Sequence, residues 1–276
     1  MRYLQIFFLL CLGFSASAGT FAQFRTVYGD IDVELYDQDK PITVQNFLRY
    51  VKAGAYRDMI FHRCVPNFVV QGGGFYTTNR YANSSFNSVF EVPNFGAISN
   101  EFGVGRRFSN TYGTIAMAKI GGDTNSASSQ WYFNTANNAF LDANDTNNLF
   151  VVFGKVVRGT NILSNFNTRS YGDRLVNLGG VFSQLPVTYV GNFYPFYSEL
   201  IYVDVSLLNV QVKMTNSFRE ISWNSVGNQT NQVQFTTNFP PVWQTLTSTN
   251  GTGGILKVSD AATNTPQRFY RVNVLY

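Results

Sequence analysis

Across residues 24–36 apolar and polar positions alternate, with Val27, Ile31, Val33 and Leu35 apolar around a Gly29-Asp30 turn; this period of two predicts a β-hairpin. The period then lengthens. Across 41–54 the residues Val44, Phe47, Leu48 and Val51 fall at helical spacing, Thr43 can cap the start and Gly54 the end, and one amphipathic helix is expected. Strand formers return across 61–75, which also carries Arg63, Gln71 and the successive glycines Gly72, Gly73 and Gly74. On an unbroken strand Arg63, Val65, Asn67, Val69 and Gln71 share one face, but Pro66-Asn67 interrupts it. Residues 76–111, rich in Asn, Ser, Tyr and Gly, read as a loop long enough for either substrate selection or ornament. A second helix is expected from about Thr160, with Ile162, Leu163 and Phe166 apolar, and a closing strand over 200–207.

Past Val210 the composition shifts to Thr, Asn, Gln and Val in short alternating runs at 210–214, 219–223, 232–236, 243–246, 255–258 and 268–272. Turn signals at Gly227-Asn228, Pro240-Pro241 and Asn250-Gly251 separate several of them, and the pattern predicts a small β-sandwich. At the other end Met1-Arg2 precedes an apolar run, Ile6 to Phe14, too short to span a bilayer, and then small residues. That is the layout of a secretory signal peptide, with cleavage fitting after Ala18 or after Ala22. Leu10 stands before Cys11 where a lipoprotein signal wants a small residue, so a lipid anchor is disfavoured. The expected division is a signal peptide at 1–22, a first domain at 23–206 and the sandwich at 207–276.

Loss of residues 1–22 removes Arg2 alone among charged residues and takes the formal charge from +4 to +3. With 13% of residues charged and no basic run, neither nucleic acid nor an anionic membrane surface is an expected partner. Only Cys64 then remains of two cysteines, so no intrachain disulfide can form, and stability falls to packing among the 45% apolar residues. One cysteine and the single histidine, His62, argue against a transition-metal site, and Asp123, Asp142 and Asp145 match no calcium loop. No Lys-Ser/Thr follows the three glycines, which excludes a nucleotide phosphate cradle and suits a close backbone approach instead. A His62–Cys64 nucleophilic pair lacks an orienting third group. No cofactor and no metal are expected.

The blocks Phe61-His62-Arg63, Pro66, Phe68 and Gln71-Gly72-Gly73 resemble the signature of the cyclophilins, the cyclosporin-binding family of peptidyl-prolyl cis-trans isomerases. Further agreement lies in Gly113-Thr114-Ile115-Ala116-Met117-Ala118, Ser129-Gln130-Trp131-Tyr132-Phe133, Asn138-Ala139-Phe140-Leu141-Asp142 and Val152-Phe153-Gly154-Lys155-Val156-Val157, over roughly residues 24–206. The resemblance implies a mainly β fold: a closed eight-stranded barrel with two capping helices, followed here by a C-terminal β-sandwich similar to fibronectin-type-III-like modules. It also implies that Arg63 and Gln71 are catalytic. Rotation about an Xaa-Pro bond meets a barrier of roughly 20 kcal/mol from amide resonance, and a guanidinium that donates to the prolyl nitrogen as it pyramidalises favours the twisted state. Gln71 would hold the substrate carbonyl, while Phe68, Val69, Tyr132, Phe140 and Leu141 would cup the proline ring. Ala118, Lys119, Gln130 and Phe150 are carried over as further substrate-binding residues, and His62 and Cys64 as structural neighbours. Two positions depart from the family: Tyr132 replaces the usual Phe and adds a hydroxyl at the pocket wall, and Phe140 replaces the Trp of cyclosporin-sensitive members. The implied protein is an exported, monomeric isomerase acting on proline-containing polypeptides in the periplasm or outside the cell. The rival readings are a non-catalytic proline-peptide binder and a surface protein whose sandwich does the work.

Overall fold

The first hairpin pairs β1 (Phe21–Thr26) with β2 (Gly29–Leu35), starting three residues earlier than the alternation suggests. Helix α1 (Pro41–Lys52) follows, then the short strands β3 (Met59–Ile60), β4 (Arg63–Val65), β5 (Val69–Gly72), β6 (Phe75–Tyr76) and β7 (Phe90–Glu91). Next come β8 (Thr114–Met117), β9 (Trp131–Asn134) and β10 (Val152–Arg158), helix α2 (Thr160–Asn167), β11 (Ser170–Tyr171), β12 (Arg174–Val176), β13 (Leu185–Pro186) and β14 (Tyr202–Leu207). The computed structural model describes residues 20–275 other than 144–147, 190–193, 209, 216–217, 226–229, 239, 253–254 and 262–266. Residues 1–19 of the expected signal peptide, Asp145 and the Gly227-Asn228 turn therefore lie outside the described residues, whereas its last residues, 20–22, are described and run into β1.

The barrel closes through one broken strand. Residues 59–65 split at Phe61-His62: β3 pairs with β14, while β4 pairs with β5. Across the break Phe61 N donates to Ile201 O at 3.0 Å and His62 N to Gln71 O at 3.1 Å, so the strand has both neighbours. Counting β3 and β4 as one strand, the ring runs on through β5, β9, β8, β10, β2, β1 and β14, eight strands in all. Alternation sorts the side chains. Phe24, Ile31, Val33, Cys64, Val70, Ile115, Met117, Trp131, Phe133, Phe153 and Val203 fill the interior, each at most 2% exposed. Ring centroids of Phe24 lie 4.9 Å from Trp131 and 5.0 Å from Phe133 in edge-on geometry, contacts that add about 0.5–1.5 kcal/mol each beyond area burial.

Each helix plugs an end. α1 inserts Phe47 against Phe24 and Phe153, and α2 inserts Phe166 against Phe61 beside the β1–β2 turn. Thr43 does not cap α1. The helix begins at Pro41, and its exposed N–H groups are met from far along the chain by Glu101, which accepts from Ile42 N at 3.0 Å, Thr43 N at 2.7 Å and Thr43 Oγ1 at 2.7 Å. A carboxylate suits this position because unpaired amides and the helix dipole both present positive charge there. The buried Lys40 ammonium donates to Glu101 O at 2.9 Å, which ties residues 101–104 to the helix start. Gly54 follows the last turn at φ 71, the left-handed conformation expected of a helix-ending glycine.

A second apolar core lies outside the barrel wall, unanticipated by the alternation pattern. Phe75, Phe86, Val176, Leu185, Val187, Tyr197 and Leu200 pack together, with Phe182 tilted against Phe75 at 5.1 Å and meeting Phe86 edge-on at 5.6 Å. Residues 82–89 of the loop thus fold onto residues 176–187, Tyr197 and Leu200, with β11, β12 and β13 as a small sheet. Beyond Leu208 the expected six strands form: β15 (Val210–Met214), β16 (Arg219–Asn224), β17 (Thr230–Thr236), β18 (Gln244–Asn250), β19 (Ile255–Asp260) and β20 (Phe269–Leu275). They make two three-stranded sheets in the orders β15-β16-β19 and β18-β17-β20, with Ile221, Trp223 and Val233 buried in a shared cluster.

Glu101→Ala strips three donors of their acceptor at a buried helix end. We expect a loss of about 2 to 4 kcal/mol in unfolding free energy by urea titration; a change below about 0.5 kcal/mol would show that solvent replaces the carboxylate.

Candidate active site

The hairpin of β4 and β5 turns at Pro66-Asn67, with Asn67 at φ 57 and its N–H bonded to Asn167 Oδ1 at 2.9 Å. The interruption seen in the sequence is this turn. Arg63 and Gln71 therefore stand on two strands as direct cross-strand partners, and share a face by pairing rather than by running along one strand. Tyr132 is the next partner of Gln71, and Ala116 of Tyr132, so one row crosses β4, β5, β9 and β8 on the outer surface of the barrel.

Beside that row Val69, Ala116, Tyr132, Leu141 and Val152 form a cluster separate from the barrel interior, with Phe68, Ala118, Phe150, Tyr36 and Phe108 packed against it. Leu141 and Phe140 come from the 3-10 turn Ala139–Asp142. Phe140 stacks on Phe68 at 5.7 Å yet stays 61% exposed, so an aromatic face borders the cup and is open to solvent. Phe150 meets Tyr132 edge-on at 5.9 Å, and Lys119 Nζ lies 4.6 Å from the Phe150 ring centre. All the residues expected to cup a proline are thereby brought together, with Ala118, Lys119 and Phe150 at their margin.

The Tyr132 hydroxyl is not free at the wall. It is buried and donates to Asn110 Oδ1 at 2.8 Å, and burial raises its pKa well above the ordinary phenol value. Asn110 belongs to a polar layer beneath the cup: its amide donates to Asp142 Oδ1 at 2.7 Å and Phe150 O at 3.2 Å, and it accepts from Asn134 at 3.0 Å. Asn138 donates to Asn134 Oδ1 at 2.7 Å and Phe68 O at 2.8 Å. Asn110 and Asn134 were given no role by the sequence, where asparagine is common and carries no periodic signal.

Arg63 is half-buried, and Gln184 Oε1 accepts from its Nε at 3.0 Å. Among the described residues no carboxylate lies within ion-pair distance of it. Burial draws its pKa down from the ordinary value, with the neighbouring Cys64 countering, but a guanidinium keeps its proton at any working pH. Gln71 Nε2 donates to Gln130 Oε1 at 2.7 Å, which leaves the Gln71 carbonyl end and one amide hydrogen for a ligand. Gln130 also bonds the buried His62, whose pKa burial and the Arg63 charge lower to about 4. The glycines permit this closeness: a Cβ on Gly74 would sit 3.0 Å from the Gln130 side chain and 3.1 Å from His62 Cε1, and one on Gly72 would sit 2.7 Å from Trp131. Cys64 is fully buried and its thiol is pushed up to about 12, so it is no thiolate near neutrality, and His62 is itself buried. Among the described residues no group of three or more His, Cys, Asp or Glu could hold a metal ion.

The site combines a fixed cation, a neutral amide partner and an apolar aromatic cup, with no acid–base pair. It suits the twisting of a polar bond adjoining an apolar ring. In comparison with known proteins, the family model for "Cyclophilin type peptidyl-prolyl cis-trans isomerase/CLD" matches residues 21–179. A peptidyl-prolyl cis-trans isomerase of Acinetobacter baylyi is 39% identical over 166 residues, covering 59% of this chain and 81% of the relative. Peptidyl-prolyl cis-trans isomerase A of Dickeya dadantii is 38% identical over 162 residues, 58% of this chain and 78% of the relative. A solved cyclophilin type peptidyl-prolyl cis-trans isomerase of Cryptosporidium parvum aligns with a TM-score of 0.46 at 19% identity, covering 68% of this chain and 99% of that one.

Two buried groups with opposite shifts make stability depend on pH. Between about 4 and 6.5 the unfolded chain protonates His62 while the fold does not, so this residue makes stability rise with pH. Asp30, whose carboxylate oxygens lack hydrogen-bond partners, is raised to about 6 by burial, with Arg25 lowering it, Asp32 raising it and Arg158 lowering it. Over about 4 to 6 the fold therefore holds a proton that the unfolded chain releases, and Asp30 makes stability fall as pH rises. Asp30→Asn should steepen the upward slope of urea-unfolding free energy over that window, and His62→Gln should flatten or reverse it. Parallel profiles for the two variants would contradict both assignments.

Proposed function

The chain belongs to the cyclophilin-type peptidyl-prolyl cis-trans isomerases, and from that premise we propose that Arg63 and Gln71 are its catalytic pair. The observation that carries the reading is their direct pairing across β4 and β5 at the rim of the aromatic cup. A proline ring held against Phe68, Val69, Tyr132, Phe140 and Leu141 leaves its amide beside the two side chains. Arg63 then donates to the prolyl nitrogen as the lone pair localises, and Gln71 holds the preceding carbonyl. Ground-state prolyl nitrogen is a poor acceptor, so the contact strengthens toward the twisted state and lowers the barrier. Neutral Gln184, in place of a carboxylate, leaves the guanidinium's charge uncompensated.

The residues at the margin complete the substrate site. Ala118 and Gln130 flank the peptide, Phe150 closes the cup and Lys119 sets a cation over Phe150. Phe140 offers no indole N–H, and weak cyclosporin binding follows; tight inhibition of the unmodified protein would refute this.

The wider reading is an exported folding catalyst whose clients are proline-containing polypeptides. Among the described residues no helix is long and apolar enough to cross a membrane. Two contacts favour cleavage after Ala18 over Ala22. Thr20 N and Oγ1 both bond Asp37 at 2.7 Å, and Ala22 is buried in β1. An exported protein beginning at Gln23 would contradict this. We place the end of the catalytic domain near Leu208, since Leu207 is still paired with Ala22 and Leu208 N donates to Phe21 O at 2.7 Å; the sandwich beyond it serves placement or partner binding.

The test is turnover of a short Xaa-Pro peptide. Arg63→Ala should lower kcat/KM by roughly 10² to 10³ with the fold intact, and Arg63→Lys should do little better. A fragment ending at Leu208 should stay within a few-fold of the full chain. Near-full turnover in Arg63→Ala would overturn the assignment, and a hundredfold loss in the folded fragment would place the sandwich in the site.

A further inference from the structure

We propose that Gln184 is a positioning residue for catalysis: it clamps the guanidinium of Arg63 from a part of the chain beyond the family match. The proposal rests on the catalytic role of Arg63 given above. Gln184 lies past residue 179, where that match ends. It makes two distinct bonds to β4, its side-chain Oε1 accepting from Arg63 Nε at 3.0 Å and its backbone O accepting from Cys64 N at 2.8 Å. The first fixes a side chain and the second docks a strand.

Gln184 is itself firmly held. Immediately after it, Leu185 is fully buried and pairs with Val176, while two residues before it Phe182 packs on Phe75 and Phe86. The second core, which has no place in closing the barrel, thus delivers one acceptor to the Arg63 guanidinium, which no described carboxylate pairs. Arginine has several rotatable bonds, and an unpinned guanidinium would sample many positions around the cup. An acceptor on Nε fixes the plane of the guanidinium and leaves both Nη groups for the substrate. An amide is suited to this because it orients without cancelling charge, whereas a carboxylate would form an ion pair and weaken the donor.

The test uses the full-length protein, with peptide turnover followed by NMR exchange and the Arg63 Nε–H resonance observed directly. Gln184→Met keeps length and loses the acceptor, with the backbone bond to Cys64 retained. We expect kcat to fall about tenfold with KM within twofold, and the Nε–H resonance to shift upfield. In an Arg63→Ala background the same change should alter turnover less than twofold, since the positioned group is gone. Gln184→Glu should keep the Nε–H bond yet lower kcat at pH 8, recovering as pH falls toward the carboxyl range. It also carries the test should Gln184→Met fail to fold. Turnover within twofold of the unmodified protein in Gln184→Met, an equal loss in both backgrounds, or a pH-independent Gln184→Glu would overturn the clamp. The fall in turnover on Arg63→Ala alone tests the catalytic reading separately, so either idea can fail alone.

Discussion

The two-residue period of the barrel wall is the constraint on which the site depends. Along β4, β5, β9 and β8 it sends Cys64, Val70, Trp131, Phe133, Ile115 and Met117 inward and Arg63, Gln71, Tyr132 and Ala116 outward. Slip of one strand by one residue would bury a guanidinium and expose a core aromatic, a double cost of several kcal/mol that fixes the register. The same interior that stabilises the fold therefore places Arg63 and Gln71 opposite each other, so that geometry at the surface is inherited from packing beneath it. The broken strand 59–65 serves both ends of this arrangement, closing the ring through β3 and presenting Arg63 through β4.

Polar groups then hold what the pleat has placed. Asn110, Asn134 and Asn138 are nearly or fully buried, and their bonds join Phe68, Tyr132, Phe150 and the turn bearing Phe140 and Leu141. An aromatic cup made of such loops would collapse or drift if held by apolar contact alone, because packing is not directional. Amides with fixed donors and acceptors specify distance and angle, at the cost that each unpaired member would be expensive to bury. Glu101 does the same at longer range, satisfying the start of α1 and anchoring the loop that carries Phe108.

Much of this was legible in the sequence, and the limits are physical. Period-two alternation marked the first hairpin and the six C-terminal strands, and period 3.6 marked both helices, each of which buries one face against the core. Pro66-Asn67 was read as an interruption; only pairing shows that it is a turn that sets Arg63 opposite Gln71. Family resemblance supplied the cup residues, which alternation could not separate from ordinary core. The second core escaped notice because its members come from irregular segments with no period, and Gln184 with it, since a lone glutamine between Ser183 and Leu185 announces nothing. The capping role of Thr43 was a local inference that a residue 58 positions away overrode.

A cup that binds proline and a pair that twists its amide are separable properties, and the central claim concerns the second. The direct measurement is two-dimensional exchange NMR on a peptide with one Xaa-Pro bond in the presence of substoichiometric protein. The account predicts cross-peaks between the cis and trans forms on a timescale far below the uncatalysed time of about 10 to 100 s, with the cis-to-trans ratio in free peptide unchanged. Peptide-induced shifts at Val69, Tyr132 and Phe140 without accelerated exchange would contradict it and leave a barrel that grips proline without turning it.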